Sequence, residues 1–451
     1  MTDKQKLILI ISILAAFVAF LDSSVVNVAL PAIIRDLTGG LIVQQWVVDA
    51  YLITLGSLIL VAGSLSDILG RKKVLTYGLV GFGITSLLCA FAPNKELLIV
   101  FRGLQGIAGA LLVPSSLAIL ISNFSGQLQS KAIGIWTAWT GISFIIGPLV
   151  GGILVDSVSW RAIFLINVLP ITITLYLLNK LKLDEVKENR KLDWRGAVVC
   201  TLGLLGTVYA LIEQPHFGWS SPKIYIPLLL GLVLLGIFVF IEKNEKDPMV
   251  SLRLFKVRNF SVGNIATLAI YGGLSVATFL LIIAVQQIGH YSAFSAGLSL
   301  LPVTLIMFVL SPRFGALSGK YGPRFFMSVG PMIAGIGFLL LLNMNSQMTY
   351  LTQVLPGILI FGLGLAMTVA PLTSAILGSI HPEQAGIGSA INNAVARIAG
   401  LIAVAFIGVI VGAELTISGF HKGVILMAIL LIFGGVISAI GIQNHQVKSI
   451  S

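Results

Sequence analysis

The stretch Gly63-Ser-Leu-Ser-Asp-Ile-Leu-Gly-Arg-Lys-Lys73 decides the fold of this chain, because it is a short charged segment, bracketed by glycines, between two long apolar runs. A weaker copy stands at Gly315-Ala-Leu-Ser-Gly-Lys-Tyr-Gly-Pro-Arg324. The copies are offset by 252 residues, so that Gly70 corresponds to Gly322. Internal repeats of this kind are typical of transporters that work by alternating access. The offset predicts that two halves of one membrane protein are copies of each other.

The composition indicates that lipid is the solvent for most of the surface. Of 451 residues, 57% are hydrophobic and only 10% are charged, and the mean hydropathy is +1.02. A soluble domain carries about 25% charged residues. The net charge of +11 does not indicate a nucleic-acid partner, because the basic residues are scattered through loops rather than gathered on one face.

Fourteen apolar runs are long enough to span a bilayer, for which about 17–25 residues are needed. They lie near 7–31, 46–63, 74–92, 97–122, 132–155, 162–180, 196–213, 223–241, 260–288, 293–311, 325–343, 351–379, 386–412 and 422–442. The repeat accounts for six spans in each half, with two additional spans between them. We therefore predict an all-α integral membrane protein, with a six-helix bundle at 1–190, two additional helices at 191–258 and a second six-helix bundle at 259–451.

The basic residues predict the orientation of these spans. Of the 28 Lys and Arg residues, 21 fall on the side of the N-terminus. The exceptions are Arg35, Lys95, Arg161, Lys223 and Lys422 on the other side, and Arg102 and Arg397 within the membrane. Loops on the cytoplasmic side carry the excess of Lys and Arg. We expect both termini in the cytoplasm and the protein in the plasma membrane, with lipids as partners and as a monomer.

Asp22 is the first embedded group that carries chemistry. It lies about 15 residues into the first span, or roughly 22 Å along a helix, beyond the midplane. A carboxylate there costs several kcal/mol unless it is paired, hydrated or protonated, and such groups mark proton or cation sites. The alternative is a structural aspartate that locks the first helix to a neighbour by hydrogen bonds.

Two further charged residues are candidates for the same chemistry. Asp49, in Trp46-Val-Val-Asp-Ala-Tyr51, is either a second cavity carboxylate or a solvated residue at the start of the second helix, where the helix dipole favours an acid. Arg102, in Phe101-Arg-Gly-Leu-Gln-Gly106, must meet carboxylates, carbonyl oxygens or water. Its expected role is to release a proton from a nearby acid, with Asp22 the first candidate; the alternative is a cap on the carbonyls of a neighbouring helix.

Several of these stretches resemble signatures of one family. Gly63 to Lys73 resembles the loop between the second and third helices of the major facilitator superfamily, and Leu21-Asp-Ser-Ser-Val-Val-Asn-Val-Ala-Leu-Pro31 resembles its fourteen-helix drug:proton antiporter branch. Gly141-Ile-Ser-Phe-Ile-Ile-Gly-Pro-Leu-Val-Gly-Gly152 resembles the antiporter signature of the fifth helix. The resemblance covers nearly the whole chain and implies export. Asp49 departs from it, because relatives more often have a small polar residue there.

The glycines of the fifth helix and the charges of the loop at residues 63–73 predict which residues control the conformational change. Glycines in the fifth helix allow another helix to approach closely, and Pro148 removes a backbone hydrogen bond there. In the loop, Asp67 and Arg71 are expected to form a latch on the inner side. The expected gating residues are Gly63, Asp67, Gly70, Arg71, Gly147, Pro148 and Gly151. The second copy has Gly319 and Pro323 at the latch positions, so a one-sided latch is predicted.

The remaining candidates concern the substrate cavity. Trp136 and Trp139 either stack on a flat aromatic or cationic drug or face lipid. The second half has no acidic residue in its spans apart from Glu414 at a helix end, which favours monovalent, zwitterionic or neutral substrates. The predicted cavity comprises Asp22, Asp49, Trp136, Trp139, Gln286, Asn392, Asn393 and Arg397.

Together these observations predict a proton-coupled multidrug exporter that works by alternating access, with sodium not excluded as the coupling ion. No Gly-x-x-x-x-Gly-Lys-Ser/Thr stretch is present, so ATP hydrolysis is not expected. Neither a catalytic constellation nor a metal-ligand cluster is visible, and we predict no enzyme activity and no cofactor. The alternatives are an exporter of an endogenous lipid, peptide or metabolite, and a membrane sensor or scaffold. The sensor alternative predicts loss of Asp22 or Arg102, and both are present.

Overall fold

Helices form most of the chain in the computed structural model, which describes residues 1–181, 192–245, 248–381 and 384–444. Short 3-10 segments lie at Leu252–Lys256 and Leu340–Asn343, and a π-helical turn at Tyr350–Val354. The α-helices are α1 (Asp3–Leu37), α2 (Leu41–Leu69), α3 (Arg71–Ala90), α4 (Lys95–Asn123), α5 (Gly126–Ser157), α6 (Ala162–Leu165), α7 (Val168–Lys180), α8 (Trp194–Phe217), α9 (Pro222–Asn244), α10 (Arg258–Gln287), α11 (Ala293–Ser299), α12 (Leu301–Tyr321), α13 (Pro323–Leu339), α14 (Leu355–Leu377), α15 (Ala385–Val411) and α16 (Ile417–Gly441).

The predicted membrane fold is confirmed. Among the described residues, fourteen helical stretches are long and apolar enough to cross a membrane. Two of the predicted spans are each made of two helices: α6 and α7 meet at Asn167, and α11 and α12 meet at Leu300. Because the number of these described spans is even, the start of α1 and the end of α16 belong to the same side of the membrane.

The repeated stretch forms the same turn in both copies. Gly70 ends α2 and Gly322 ends α12, with φ angles of 101° and 87°. Side chains rarely adopt this conformation, so glycine is favoured at both positions. The N–H of Gly70 donates to the carbonyl of Ser66 at 3.2 Å, and that of Gly322 donates to Ser318 at 2.9 Å.

The chain forms two units. Unit 1 comprises Met1–Met249 together with His290–Leu298, and unit 2 comprises Val250–Gly289 together with Ser299–Ser451. The two additional helices, α8 and α9, therefore belong to unit 1, as does most of the short helix α11.

The additional helix α8 packs along α2 from one end to the other. Near one end, the indole N–H of Trp46 donates to Glu213 at 2.9 Å. In the middle, the hydroxyl of Thr201 donates to Ser57 at 2.9 Å. At the other end, Ala197 packs with Val61 and Met249 in a small apolar cluster. In contrast, α9 is mostly exposed, and it is apolar between Lys223 and Glu242, which is typical of a lipid-facing helix.

In unit 2, basic side chains enclose the C-terminal end of α16. Arg258 Nε donates to the carbonyl of Gly441 at 2.9 Å, and Arg324 Nε donates to that of Ala439 at 2.8 Å. Asn259 exchanges two hydrogen bonds with the main chain of Gln443. The last carbonyl groups of a helix have no partner within the helix, and these side chains supply one.

Candidate functional site

Asp22 lies at the centre of a buried polar cluster in unit 1, and its carboxylate is fully buried. Arg102, on α4, donates from Nη1 to Asp22 Oδ2 at 2.6 Å. The predicted meeting of these two groups is therefore present in this structure. Because both side chains are removed from solvent, breaking such a pair by removing one partner costs about 3–5 kcal/mol.

Three neutral side chains complete the cluster. Gln105 Nε2 donates to Asp22 Oδ1 at 3.0 Å, and Asn167 Nδ2 donates to the same oxygen at 2.9 Å. Gln105 also donates to the hydroxyl of Ser86 at 2.9 Å. Three donors thus meet the two oxygens of the Asp22 carboxyl group, which hydrogen bonds tie to α4 and to Asn167. The cluster joins α1, α3, α4 and the junction of α6 and α7.

Sequence reasoning did not identify these three neutral residues as site residues. Gln105 stood inside the stretch Phe101-Arg-Gly-Leu-Gln-Gly106 without a role, Asn167 was not singled out, and Ser86 stands beside Thr85 in an apolar run. The signal available was spacing: Gln105 follows Arg102 by three residues and so shares its helix face. For Asn167, the signal was a single amide among the otherwise apolar residues 162–171.

Arg102 is held from several directions besides Asp22. Its Nη1 also donates to Gln105 Oε1 at 2.7 Å, and its Nε donates to the main-chain carbonyl of Val47 at 3.1 Å. The guanidinium lies 4.4 Å from the ring centroid of Tyr51, within the range of a cation–π interaction. Through Val47 and Tyr51, the ion pair is thus connected to α2.

Asp49 lies in the same stretch of α2, two residues beyond Val47. It is fully buried, and neither of its oxygens has a hydrogen-bond partner among the described residues. The interpretation of Asp49 as a solvated residue at a helix start is wrong, because α2 begins eight residues earlier, at Leu41. An isolated charge buried in this way is very costly, so the neutral, protonated form is favoured.

The antiporter-type glycines of α5 lie against α1, beside the polar cluster. A Cβ on Gly147 would collide with Ser24 Oγ, and one on Gly151 would collide with Val25 Cγ2. Ser24 Oγ also donates to the carbonyl of Ser143 at 3.1 Å. The close approach of α1 and α5 therefore depends on these two glycines, two or three residues from Asp22. Pro148 lies within the continuous helix α5.

The structure describes the surroundings of some of the expected gating residues at 63–73. Arg71 donates from Nη1 to the carbonyl of Ala118 on α4 at 3.3 Å. Gly63 faces open space, since a Cβ there would have no neighbour within 4 Å. The side chain of Asp67 lies outside the described residues, so the predicted latch between Asp67 and Arg71 stays a prediction.

The two candidate tryptophans have different surroundings. Trp136 is buried against α1 and donates its indole N–H to the carbonyl of Ser12 at 3.2 Å. Trp139 is 47% exposed. The lipid-facing alternative is therefore wrong for Trp136, which packs inside unit 1.

In unit 2, the polar candidates lie on α10 and α15. Asn392 donates from Nδ2 to Thr267 Oγ1 at 2.8 Å and to Asn264 Oδ1 at 3.2 Å, which joins the two helices. Asn393 is exposed and donates to the carbonyl of Ser389 within its own helix. Arg397 lies further along α15, and Gln286 lies in the last turn of α10.

The part of the chain that the structure describes contains no group of three or more His, Cys, Asp or Glu residues that would hold a metal ion. What the cluster around Asp22 offers is a buried ion pair, with a second buried carboxyl on the neighbouring helix that has no hydrogen-bond partner in the described part of the chain. Together with fourteen spans and an internal repeat, this arrangement defines the class of a multi-pass membrane transporter.

Comparison with known proteins places the chain within that class. The sequence profile of the Major Facilitator Superfamily matches residues 12–404, and the chain belongs to this family. It is 33% identical over 424 residues to the "Multidrug resistance protein Stp" of Mycobacterium tuberculosis (strain CDC 1551 / Oshkosh), covering 92% of this chain and 78% of the relative. It is 30% identical over 419 residues to the "Multidrug transporter protein MdtP" of Bacillus subtilis (strain 168), covering 91% and 76%.

Solved structures share the fold at lower identity. A crystal structure of the peptide transporter POT in complex with sulfate aligns with a TM-score of 0.70 at 14% identity, covering 97% of both chains. A bacterial homologue of the human lysosomal transporter Spinster, in an inward-facing and unoccupied conformation, aligns with a TM-score of 0.71 at 13% identity. The relatives in sequence are thus bacterial multidrug resistance transporters, and the neighbours in structure show the transporter fold.

Proposed function

We propose that this protein exports hydrophobic drugs across the plasma membrane in exchange for protons. The observation that carries the proposal is the buried ion pair of Asp22 and Arg102, beside the buried carboxyl of Asp49, which no described residue hydrogen-bonds. An ionisable residue within a membrane is costly to keep and usually belongs to an ion pathway. The names of the sequence relatives support drugs as the cargo.

Proton uptake at Asp22 is the proposed coupling step. A proton on Asp22 removes the charge that Arg102 opposes, and the guanidinium keeps only Gln105, the carbonyl of Val47 and the Tyr51 ring. The interaction that ties α1 to α4 is then weakened, and because Arg102 also bonds to α2, the change reaches that helix. Return of Arg102 to Asp22 expels the proton, since a cation within hydrogen-bond distance favours the carboxylate.

Asp49 is the proposed second proton carrier. Because its oxygens lack partners among the described residues, we expect it to be protonated in this conformation and to ionise only when water or a cation reaches it. In that role, Asp22 and Asp49 occupy different stages of the cycle: one ionised and paired, the other neutral and unpaired. A cationic drug that approaches Asp49 would displace its proton electrostatically.

The distribution of charge suggests the class of substrate. The second half of the chain offers amides and the cation Arg397 rather than acids along its spans. A divalent cation would need two carboxylates free to face it, and Asp22 is already paired with Arg102. We therefore propose monovalent, zwitterionic or neutral drugs. The excess of Lys and Arg on the side of the termini supports cytoplasmic termini.

Transport in inverted vesicles tests the proposal. A panel of fluorescent drugs is offered to vesicles under an imposed pH gradient, acid inside, and uptake into the lumen is followed. Uptake that collapses when a protonophore dissipates the gradient supports proton-coupled export. Uptake that follows an imposed sodium gradient at uniform pH would instead assign sodium as the coupling ion.

The alternative cargo is an endogenous lipid, peptide or metabolite. It makes a different prediction for cells: deletion of the gene would alter the composition of the envelope while leaving drug sensitivity unchanged. A deletion strain with increased sensitivity to drugs that the vesicles also accumulate would decide for drug export.

A further inference from the structure

A short segment from the second half of the sequence is part of unit 1. This segment, His290–Leu298, is called the strap below, and it contains most of α11. It is continuous with unit 2 at both ends, since α10 ends at Gln287 and α12 begins at Leu301. By the alternation of the spans, the strap lies on the side of the membrane opposite the termini, where α5 also ends.

Asp156, in the last turn of α5, holds the start of the strap helix. Its Oδ1 accepts from the main-chain N–H of Ala293 at 3.1 Å, and its Oδ2 accepts from that of Phe294 at 2.9 Å. The first N–H groups of a helix have no partner within the helix, and a negative charge is favoured beside them. Ser292 supplies the remaining cap, accepting from the N–H of Ser295 at 3.2 Å. The helix is thus capped twice, and one cap comes from another helix.

Two glycines bring the strap and α5 into backbone contact. A Cβ on Gly152 would lie 2.7 Å from the main-chain nitrogen of Phe294, and one on Gly297 would lie 2.8 Å from the carbonyl carbon of Pro148. Both glycines are buried, whereas Asp156 is exposed. Water can therefore replace the two hydrogen bonds of Asp156, and the contact is suited to opening and closing.

We propose that the strap is a releasable gate element, docked on α5 in this structure, and that Asp156 is the positioning residue that governs its release. The geometry accounts for both the docked position of the strap and the role of Asp156. The glycines allow the docked position, and the exposed carboxylate stabilises it through bonds that exist only when the strap is docked. The strap is joined in sequence to unit 2 at both ends, so we assign its release to the conformational cycle. The inference does not depend on the identity of the cargo or of the coupling ion.

Labelling of a reporter cysteine tests this gate. Ala296 in the strap is fully buried, so a cysteine in its place reacts with a membrane-impermeant maleimide only when the strap leaves α5. The two natural cysteines, Cys89 and Cys200, are buried, and the protein without the reporter gives their background. The protein is reconstituted in liposomes, and the reagent is added on the side opposite the termini.

In this background, D156N should raise the labelling rate about five- to fiftyfold, because one of the two acceptor oxygens and the charge are lost. The matched control is D36N: Asp36 is a carboxylate at the end of α1 on the same side, and it accepts from Trp160 and Arg161 rather than from the strap. D36N should change the labelling rate of the parent by less than about twofold, since the hydrogen bonds of Asp36 do not involve the strap.

Labelling of D156N at the parental rate, in protein that elutes and melts as the parent does, would overturn the proposal. So would an equal increase in D36N. G297A provides a second measurement that keeps the charge: its Cβ collides with the Pro148 carbonyl, so labelling must also increase, and an unchanged rate contradicts the docked geometry. No substrate or ion gradient enters the assay, so its outcome is independent of whether drug export is confirmed.

Discussion

Arg324 stands 252 residues after Lys72, and the two side chains make the same contact in the two copies of the repeat. Lys72 Nζ donates to the carbonyl of Leu181 at 2.6 Å, at the end of α7. Arg324 Nε donates to the carbonyl of Ala439 at 2.8 Å, in the last turn of α16. Each closes the sixth helix of its half with a cation, where the helix dipole favours positive charge. The second copy thus has this cap although Gly319 stands at the position of Asp67, the acid of the predicted latch.

Removal of either cap should destabilise the protein without altering transport directly. We expect Lys72→Met and Arg324→Met each to cost about 1–2 kcal/mol, from one charged hydrogen bond and the dipole interaction. The effect is read as a fall of the melting temperature in detergent, and the two changes should add, because the sites are far apart in the sequence and share no partner. Lys73→Met is the control, because the Lys73 amine lies over the Tyr77 ring at 5.8 Å instead of on a carbonyl. An equal fall of the melting temperature in Lys72→Met and Lys73→Met would show that Lys72 does not stabilise the end of α7.

The approach of α1 to α5 gives a second prediction. Gly147→Leu should abolish export, because even a Cβ there collides with Ser24 Oγ, two residues from Asp22. Gly141→Leu, on the same helix, is the matched control: a Cβ at Gly141 has no neighbour within 4 Å. Efflux rates are compared at equal amounts of inserted protein. Normal efflux from Gly147→Leu would show that the helices tolerate the larger separation, and the antiporter-type helix would lose its assigned role.

The latch of the signature loop gives a third prediction. Asp67→Asn should slow the cycle while leaving the affinity for drug nearly unchanged, because Asp67 lies near the end of α2, about 27 Å along the helix from the cavity candidate Asp49. The turnover rate and the concentration for half-maximal transport separate these effects. Loss of affinity at unchanged turnover is the result that contradicts a latch.

The packing of α8 gives a fourth prediction. Trp46→Phe removes the N–H that reaches Glu213 while retaining most of the ring, and should lower stability by about 1–2 kcal/mol, since the acceptor is a carboxylate. Trp219→Phe is the control at another indole of the same side, 47% exposed. Thermal melting of both variants measures the difference. If Trp46→Phe is as stable as Trp219→Phe, the hydrogen bond to Glu213 does not contribute, and apolar contacts alone hold α8 on α2.

The sequence was sufficient to predict the fourteen spans, because length and hydropathy decide whether a helix can cross a bilayer. It did not reveal the break between α6 and α7, since residues 162–171 form an apolar run with only one polar residue. That residue is Asn167, whose side chain reaches Asp22. A break at a single amide depends on a partner 145 residues away in the chain, and such a partner is not visible in local composition.

The sequence also predicted the pairing of Asp22 with Arg102, because two embedded opposite charges seek each other. For Asp49 it left two alternatives open, a cavity carboxylate and a solvated residue at a helix start. The polar residues Gln44 and Gln45 made the span appear to begin at Trp46, but both are buried within the helix, which begins at Leu41. Burial of these amides is a tertiary effect, so hydropathy set the start of α2 too late and could not exclude the solvated alternative.

The coupling role of Asp22 gives the last prediction. Asp22→Asn keeps the shape but cannot exchange a proton, and its amide group faces the donors of Gln105 and Asn167 or the guanidinium of Arg102. We expect gradient-driven efflux to be abolished, while drug binding survives in reduced form. The measurement is proton release on addition of drug to the purified protein in weakly buffered detergent solution.

Two variants make this measurement decisive. Asp22→Glu retains a carboxyl group and should release protons, whereas Asp22→Asn should not; a shared loss of both would reflect damage to the cluster rather than the missing proton. Asp49→Asn tests the second carrier in the same assay. Because Asp49 has no hydrogen-bond partner among the described residues, this change breaks no known contact, and any lost proton is attributable to its carboxyl. If Asp22→Asn releases as many protons as the parent does, the ion pair with Arg102 is structural, and Asp49 is left as the coupling acid of this transporter.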